Sequence, residues 1–139
     1  MTPTELPPVD EVTAEWWDAT RDGTLYVQAC GACGRRQHHP RSLCLACGRT
    51  DQLGWIRARG DATIDTWTLV HRAPAPDIEV PYLVARVRLA EGPVLLTNLV
   101  DVPSDELTIG RAVQLAWRAL PDGRQLPVFT LAATDREGR

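Results

Sequence analysis

The chain has 139 residues, 44% of them apolar, with fifteen arginines, no lysine, eighteen acids and a formal net charge of −3. That suffices for one ordinary domain or two small ones and is too short for a typical cofactor-binding catalytic fold. No apolar run approaches the roughly twenty residues needed to cross a bilayer, and the opening MTPTELPPVDEV lacks the basic start and apolar core of a signal peptide. The expectation is a cytoplasmic protein with no membrane attachment.

Residues 2–8 contain two adjacent prolines and read as a loose arm. From Asp10 the pattern becomes helical: Asp10 is the expected N-cap, Glu11 and Glu15 suit the first turns, and Gly23 provides the stop. Val12, Trp16 and Ala19 share one face at i, i+4, i+7 spacing, with Trp17 well off that stripe. Two adjacent indoles on so short a helix do not pack easily against one core. Either both rings cover the domain, or one is presented outward. Trp16 and Trp17 are taken here as the partner-binding candidates, because tryptophan is enriched at protein-binding hot spots.

An extended run from Thr24 to Gln28 leads into the most informative stretch of the chain, Cys30-Gly31-Ala32-Cys33-Gly34 and, after a ten-residue spacer, Cys44-Leu45-Ala46-Cys47-Gly48. A CxxC turn aims two sulfurs at one point, and a glycine after the second cysteine permits the left-handed backbone that wraps amides around the thiolates. Two such turns spell out a tetrahedral site for Zn²⁺ held by Cys30, Cys33, Cys44 and Cys47. The competing readings are two disulfides, a redox CxxC, or iron in place of zinc. Disulfides need an oxidising compartment, and a redox CxxC occurs singly at a helix start in a βαβ context that this chain lacks. Four cysteines leave no open coordination position, so the metal is expected to build structure and not to do chemistry. His38 and His39 in the spacer are expected as exposed loop residues or outer donors, not ligands. Gln37 to Leu43 reads as a strand-like lead into the second turn.

Charge is unevenly spread. Between Cys30 and Gly60 lie Arg35, Arg36, Arg41, Arg49, Arg57 and Arg59 against the single acid Asp51. A basic ribbon on an acidic body suits a phosphate-bearing ligand, an acidic protein partner, or simple neutralisation of four thiolates.

From Trp55 onward the reading is all β. Strands are expected over 62–71, with Ala62, Ile64, Thr66, Thr68 and Val70 on one face, then over 82–89, 94–100, 111–119 and 127–131. Pro74, Pro76 and Pro81, then Gly92-Pro93, then Pro121-Asp122-Gly123 provide the breaks. Asn98 is out of character inside its strand, and His71 reads as a surface residue. Five short strands suit a small closed barrel of the OB type. The expected fold is thus mainly β: an N-terminal arm and helix (1–23), a rubredoxin-like zinc ribbon (24–54), a five-stranded OB-fold barrel (55–133) and a tail (134–139).

Paired aromatics on the helix, the four-cysteine ribbon with His39-Pro40-Arg41 before its second turn, Gly60, Pro81-Tyr82 with Val84, Val87, Leu89 and Glu91-Gly92, and Ile109-Gly110 with Val113 together resemble the DUF35 family of zinc-ribbon plus OB-fold proteins. The resemblance covers nearly the whole chain. It implies structural zinc and an acyl-CoA-associated accessory subunit of thiolase-superfamily enzymes. Such subunits include the archaeal bridge between thiolase and hydroxymethylglutaryl-CoA synthase, and the partner of lipid-transfer-type aldolases in steroid side-chain degradation. Arginine without lysine resembles high-GC actinobacterial usage and favours the aldolase partner.

On that reading Arg35, Arg36, Arg41, Arg57 and Arg59 are candidates for steering CoA phosphates. No Ser-His-Asp or Cys-His set, phosphate loop or converging carboxylate pair is evident, so the reactive groups are expected on the partner. The alternative, a single-stranded nucleic-acid module, needs a basic groove with stacking aromatics, whereas the barrel region carries only Trp67, Tyr82, Trp117 and Phe129 in an acidic setting.

Overall fold

A computed structural model describes residues 6–132. The first five residues of the expected arm and the tail expected over 134–139 lie outside the described residues. The described chain runs α1 (Ala14–Thr20), β1 (Tyr26–Cys30), β2 (Arg36–Gln37), β3 (Leu53–Arg57), β4 (Asp61–Val70), β5 (Tyr82–Leu89), β6 (Val94–Leu99), a single 3-10 turn (Ser104–Glu106), β7 (Ala112–Ala119) and β8 (Gln125–Leu131).

The helix is shorter than its sequence pattern predicts. Asp10 accepts hydrogen bonds from the amides of Val12 (3.0 Å) and Thr13 (2.9 Å), so it caps a turn ahead of the helix and not α1 itself. Nor is the buried stripe Val12, Trp16 and Ala19. It is Thr13, Trp16, Trp17 and Thr20, an i, i+3, i+4, i+7 set that places both indoles inside, at 3% and 7% exposure. Of the two arrangements open to the indoles, the structure shows the one in which both rings cover the domain. Thr13 and Thr20 were passed over because they are polar, yet each is satisfied locally: Thr20 Oγ1 donates to the Trp17 carbonyl (2.6 Å) and accepts the Gln125 amide (3.1 Å), tying α1 to β8.

Trp16 and Trp17 meet edge to face with centroids 4.7 Å apart and serve different neighbours. Trp16 Nε1 donates to the Tyr26 carbonyl of β1 (2.9 Å), while Trp17 lies under the guanidinium of Arg124 (4.8 Å) beside β8. The helix is thus a wedge between the ribbon and the barrel.

The ribbon is a three-stranded antiparallel sheet in the order β2-β1-β3. β3 pairs with β1 from Leu53 to Arg57, so it crosses the 54/55 boundary expected between the two units. The strand-like segment expected over 37–43 reduces to Arg36–Gln37. Beyond it, two buried glutamines do the work of a ladder. Gln28 accepts from the Arg41 amide and donates to the Arg41 carbonyl (2.8 Å each), and Gln37 donates to Gln28 Oε1 (2.7 Å) and to the Leu43 carbonyl (3.0 Å) and accepts from the Leu45 amide (3.0 Å).

The remaining five strands close into a barrel in the order β4-β5-β6-β8-β7, with β7 returning to β4 and a parallel contact between β6 and β8 at Leu99 and Phe129. Closure between β6 and β8 rests on that single pair, so the barrel is only narrowly closed there. Alternation on β5 and β6 is regular, with Leu83, Ala85, Val87 and Leu89 facing Leu95, Thr97 and Leu99 across a core centred on fully buried Phe129. β4 departs from the expected single face. A bulge between Ile64 and Thr66 reverses the alternation, so Ala62 and Ile64 point inward in the first half, and Trp67 and Leu69 pack on the core in the second. Asn98 is explained by its amide, which donates to the Leu83 carbonyl at 2.9 Å. Gly60, at φ +101°, turns the chain from ribbon to barrel with its Cα so close to Leu115 that a β-carbon would lie 3.0 Å from Leu115 Cβ.

Candidate metal centre and ligand groove

The two CxxC turns are built alike. The Gly34 amide donates to the Cys30 carbonyl (2.9 Å) and the Gly48 amide to the Cys44 carbonyl (2.8 Å). The chain then returns so that Cys30 and Cys44 donate to the Arg35 and Arg49 carbonyls (2.8 and 2.9 Å). Gly34 and Gly48 hold φ near +80° and +78°, as the turn demands. The result brings all four sulfurs within 4.8 Å of one another, with Cys30 and Cys47 at 3.7 Å and Cys33 and Cys44 at 3.5 Å. Zinc–sulfur bonds of about 2.3 Å arranged tetrahedrally place the sulfurs about 3.8 Å apart, so the cage accepts Zn²⁺ with shifts of no more than about 1 Å. Cys30 and Cys44 are buried and Cys33 and Cys47 exposed, and none is in a disulfide.

Backbone dipoles prepare the donors. The Cys47 amide, opposed by burial and helped by the Ala46 amide, pulls the Cys44 thiol down to about 6. The amides of Cys33 and Ala32 lower Cys30 in the same way. Cys33 receives the Arg35 amide, but the neighbouring sulfurs of Cys44, Cys30 and Cys47, together with burial, push it up to about 11. Thiolates crowded in one cage resist full ionisation until a cation joins them. The donor set is complete with four thiolates, so the centre is a structural zinc site.

Neither histidine joins the sulfurs. His39 is exposed as expected, but His38 is half-buried, its ring 5.7 Å from Trp16 and 5.4 Å from His39. Burial first, then the positive neighbours His39 and Arg41, push its pKa from the ordinary 6.5 down to about 4. The folded state therefore holds His38 neutral, while the unfolded chain takes up its proton readily. That contribution to stability is fully present above about pH 6.5 and is lost progressively as pH falls towards about 4. Replacing His38 with Gln should flatten the loss between about pH 7.5 and about pH 5 in urea unfolding of the zinc-loaded protein. An equal loss in both proteins would refute the assignment.

The five arginines singled out in the sequence part company. Arg35 and Arg36 line a groove of about 530 Å³ between ribbon and barrel, where β5 adds Arg86 and Arg88, with no acid in the lining. Arg36 and Arg88 are steadied by the carbonyls of Glu91 (3.3 Å) and Gly92 (3.0 Å), and Arg86 lies 3.6 Å from Asp65. Leu45, Val94 and Leu96 give the same groove an apolar floor. Arg41, Arg57 and Arg59 lie outside it, and Arg59 is paired with Asp61 at 2.7 Å. Arg86 and Arg88 were missed because they belong to a barrel whose charges sum to negative. The available signal was their i, i+2 spacing, which puts both on the outward face of one strand.

A four-thiolate ribbon wedged by a helix onto a closed five-stranded OB barrel defines the class of this protein as a zinc-ribbon/OB-fold module. A model of the "ChsH2, rubredoxin-like zinc ribbon domain" matches residues 17–53 and one of the "ChsH2, C-terminal OB-fold domain" matches residues 55–118. The chain belongs to the DUF35 family, in its ChsH2-type form. It superposes on a chain of the solved "Ltp2-ChsH2(DUF35) aldolase" with a TM-score of 0.84 and 35% identity, covering 92% of this chain and 100% of that one. It is 35% identical over 133 residues to a "Probable enoyl-CoA hydratase alpha subunit" of Thermomonospora curvata, matching 94% of this chain but only 41% of that relative's length. It is 28% identical to a "DUF35 domain-containing scaffold protein" of Methanocaldococcus jannaschii, over 86% of this chain and 85% of that protein.

Proposed function

We propose that this chain is a non-catalytic accessory subunit that docks on a thiolase-superfamily aldolase and helps form the passage for its acyl-CoA substrate, the aldolase being one that shortens steroid side chains. The observation that carries the reading is the acid-free groove at the ribbon–barrel seam, where Arg35 and Arg36 meet Arg86 and Arg88 over an apolar floor. Guanidinium groups suit the phosphates of a nucleotide-bearing thioester, and an apolar floor suits the less polar arm that follows them. Support also comes from kinship with a chain of the Ltp2-ChsH2 aldolase and with DUF35 scaffold proteins. The nucleic-acid reading is less favoured, because Phe129 is fully buried in the core and offers no stacking surface.

The test is co-expression with the lipid-transfer-type aldolase and assay of the complex. Reversing Arg35 and Arg88 together to Glu should raise KM for the acyl-CoA by about tenfold or more at low salt with kcat little changed, since each charge-assisted contact is worth about 1.5–3 kcal/mol. Higher ionic strength should narrow the gap. An unchanged KM, or a chain that never associates with the enzyme, would refute the reading.

A further inference from the structure

With both tryptophans buried, the helix offers neither indole for docking, so another surface must supply the anchors. One outward surface stands out. β6 presents Leu96 to solvent at 70% exposure, directly opposite Arg86 of β5. Beside it Ile78, Tyr82, Val84 and Leu126 line a shallow apolar groove of about 350 Å³. Arg118 stands at its end, half-buried, and its guanidinium has no carboxylate or carbonyl partner among the described residues. The adjoining hollow of about 400 Å³ also shares Arg118, and neither Glu79 nor Asp101 in its lining pairs with it. An exposed apolar surface around a lone, partly desolvated cation is unfavourable for an isolated chain and favourable once covered. Leu96 also borders the arginine groove, so the two surfaces are continuous.

We infer that this β5–β6 face is where the enzyme subunit seats, through a segment that lays apolar side chains on Leu96 and Val84 and delivers a carboxylate to Arg118. Charge complementarity selects that occupant: one unpaired guanidinium at the margin of an apolar groove calls for one acid flanked by apolar residues. The contact offered by Leu96, Val84 and Arg118 is one of side chains. The inference rests on the accessory-subunit reading and adds to it the location and chemistry of the interface. It also sets the enzyme beside the arginine groove, so that the thioester's phosphates lie at the junction of the two proteins.

The experiment uses the full zinc-loaded chain and the co-expressed aldolase subunit, with affinity read by calorimetry. Leu96→Asp and Arg118→Glu should each weaken binding by about tenfold or more, as for central interface anchors. Arg118→Lys should retain part of it. Ile109→Asp, at an equally exposed apolar position (76%) outside both hollows, should bind as the parent does. Unfolding midpoints and zinc content should be unchanged in all four variants. Parent-like binding by Leu96→Asp and Arg118→Glu would overturn the inference while leaving the accessory role intact, whereas a parent chain that does not bind the subunit defeats both. A self-associated parent chain that Leu96→Asp renders monomeric would assign the face to a second copy and overturn the inference as well.

Discussion

Removing zinc, or replacing Cys44 with Ser, abolishes the ribbon as a folded unit. The ribbon's sheet includes a two-residue strand, and the turns around the cysteines are exposed, with little beyond Leu25, Val27, Cys30, Cys44 and the glutamine pair buried. Such a unit buries too little apolar surface to hold itself together. Structural zinc contributes about 10–16 kcal/mol in comparable small modules, as much as the whole stability of many domains. The barrel has its own core around Phe129 and closes on itself, so it should retain β structure after the ribbon is lost.

Chelation should therefore leave a single, smaller unfolding transition, that of the barrel, and shift tryptophan emission before any denaturant is added, because Trp16 leans on β1 and Trp55 stacks on Tyr26 at 5.6 Å. Elemental analysis of the parent should return one zinc per chain. Acid should act like the chelator, since protons compete with the metal for the thiolates. A metal-free chain with an unshifted midpoint and emission spectrum would contradict this account.

The second large effect is Trp16→Ala, expected to lower unfolding free energy by about 3–5 kcal/mol, as for other buried large-to-small aromatic changes. The indole is 3% exposed, contacts Trp17 and His38, and satisfies the Tyr26 carbonyl. Its loss opens a cavity at the seam where helix, ribbon and barrel meet. Trp16→Phe should recover most of the burial but not the hydrogen bond, leaving a deficit of about 1–2 kcal/mol. Trp17→Ala should approach the first value, because it also uncovers Arg124, a 5%-exposed cation held by Asp122 at 2.6 Å. Urea midpoints at constant slope measure all three. Were the indoles partner contacts, the same substitutions would leave the midpoint in place and weaken only docking.

The metal cage was legible because its grammar is local. Spacing within each CxxC and the glycine after it determine where the sulfurs go, whatever the rest of the chain does. The barrel strands were legible for a related reason, since runs of β-branched and apolar residues broken by proline and glycine mark strands without reference to their partners. Facing was another matter. The bulge in β4 moved Trp67 and Leu69 inward and cannot be read from β4 alone, because it exists only relative to β5. Gln28 and Gln37 resembled ordinary polar strand residues until their partnership across the spacer was seen. The helix stripe departs from its apolar pattern because Thr20 can be buried once its hydroxyl is absorbed by nearby backbone groups.

By itself the amino-acid sequence determined the zinc ligands, the order of the modules and membership in the DUF35 family, since each is written in residues near one another along the chain. Only the tertiary structure decided which arginines form one groove, joining positions 35 and 36 to 86 and 88, and that both tryptophans face inward. The physical reason is that closure of the barrel and docking of the ribbon on it bring distant segments together. Whether a side chain is buried or offered to a ligand depends on what lies across from it and not on what precedes it.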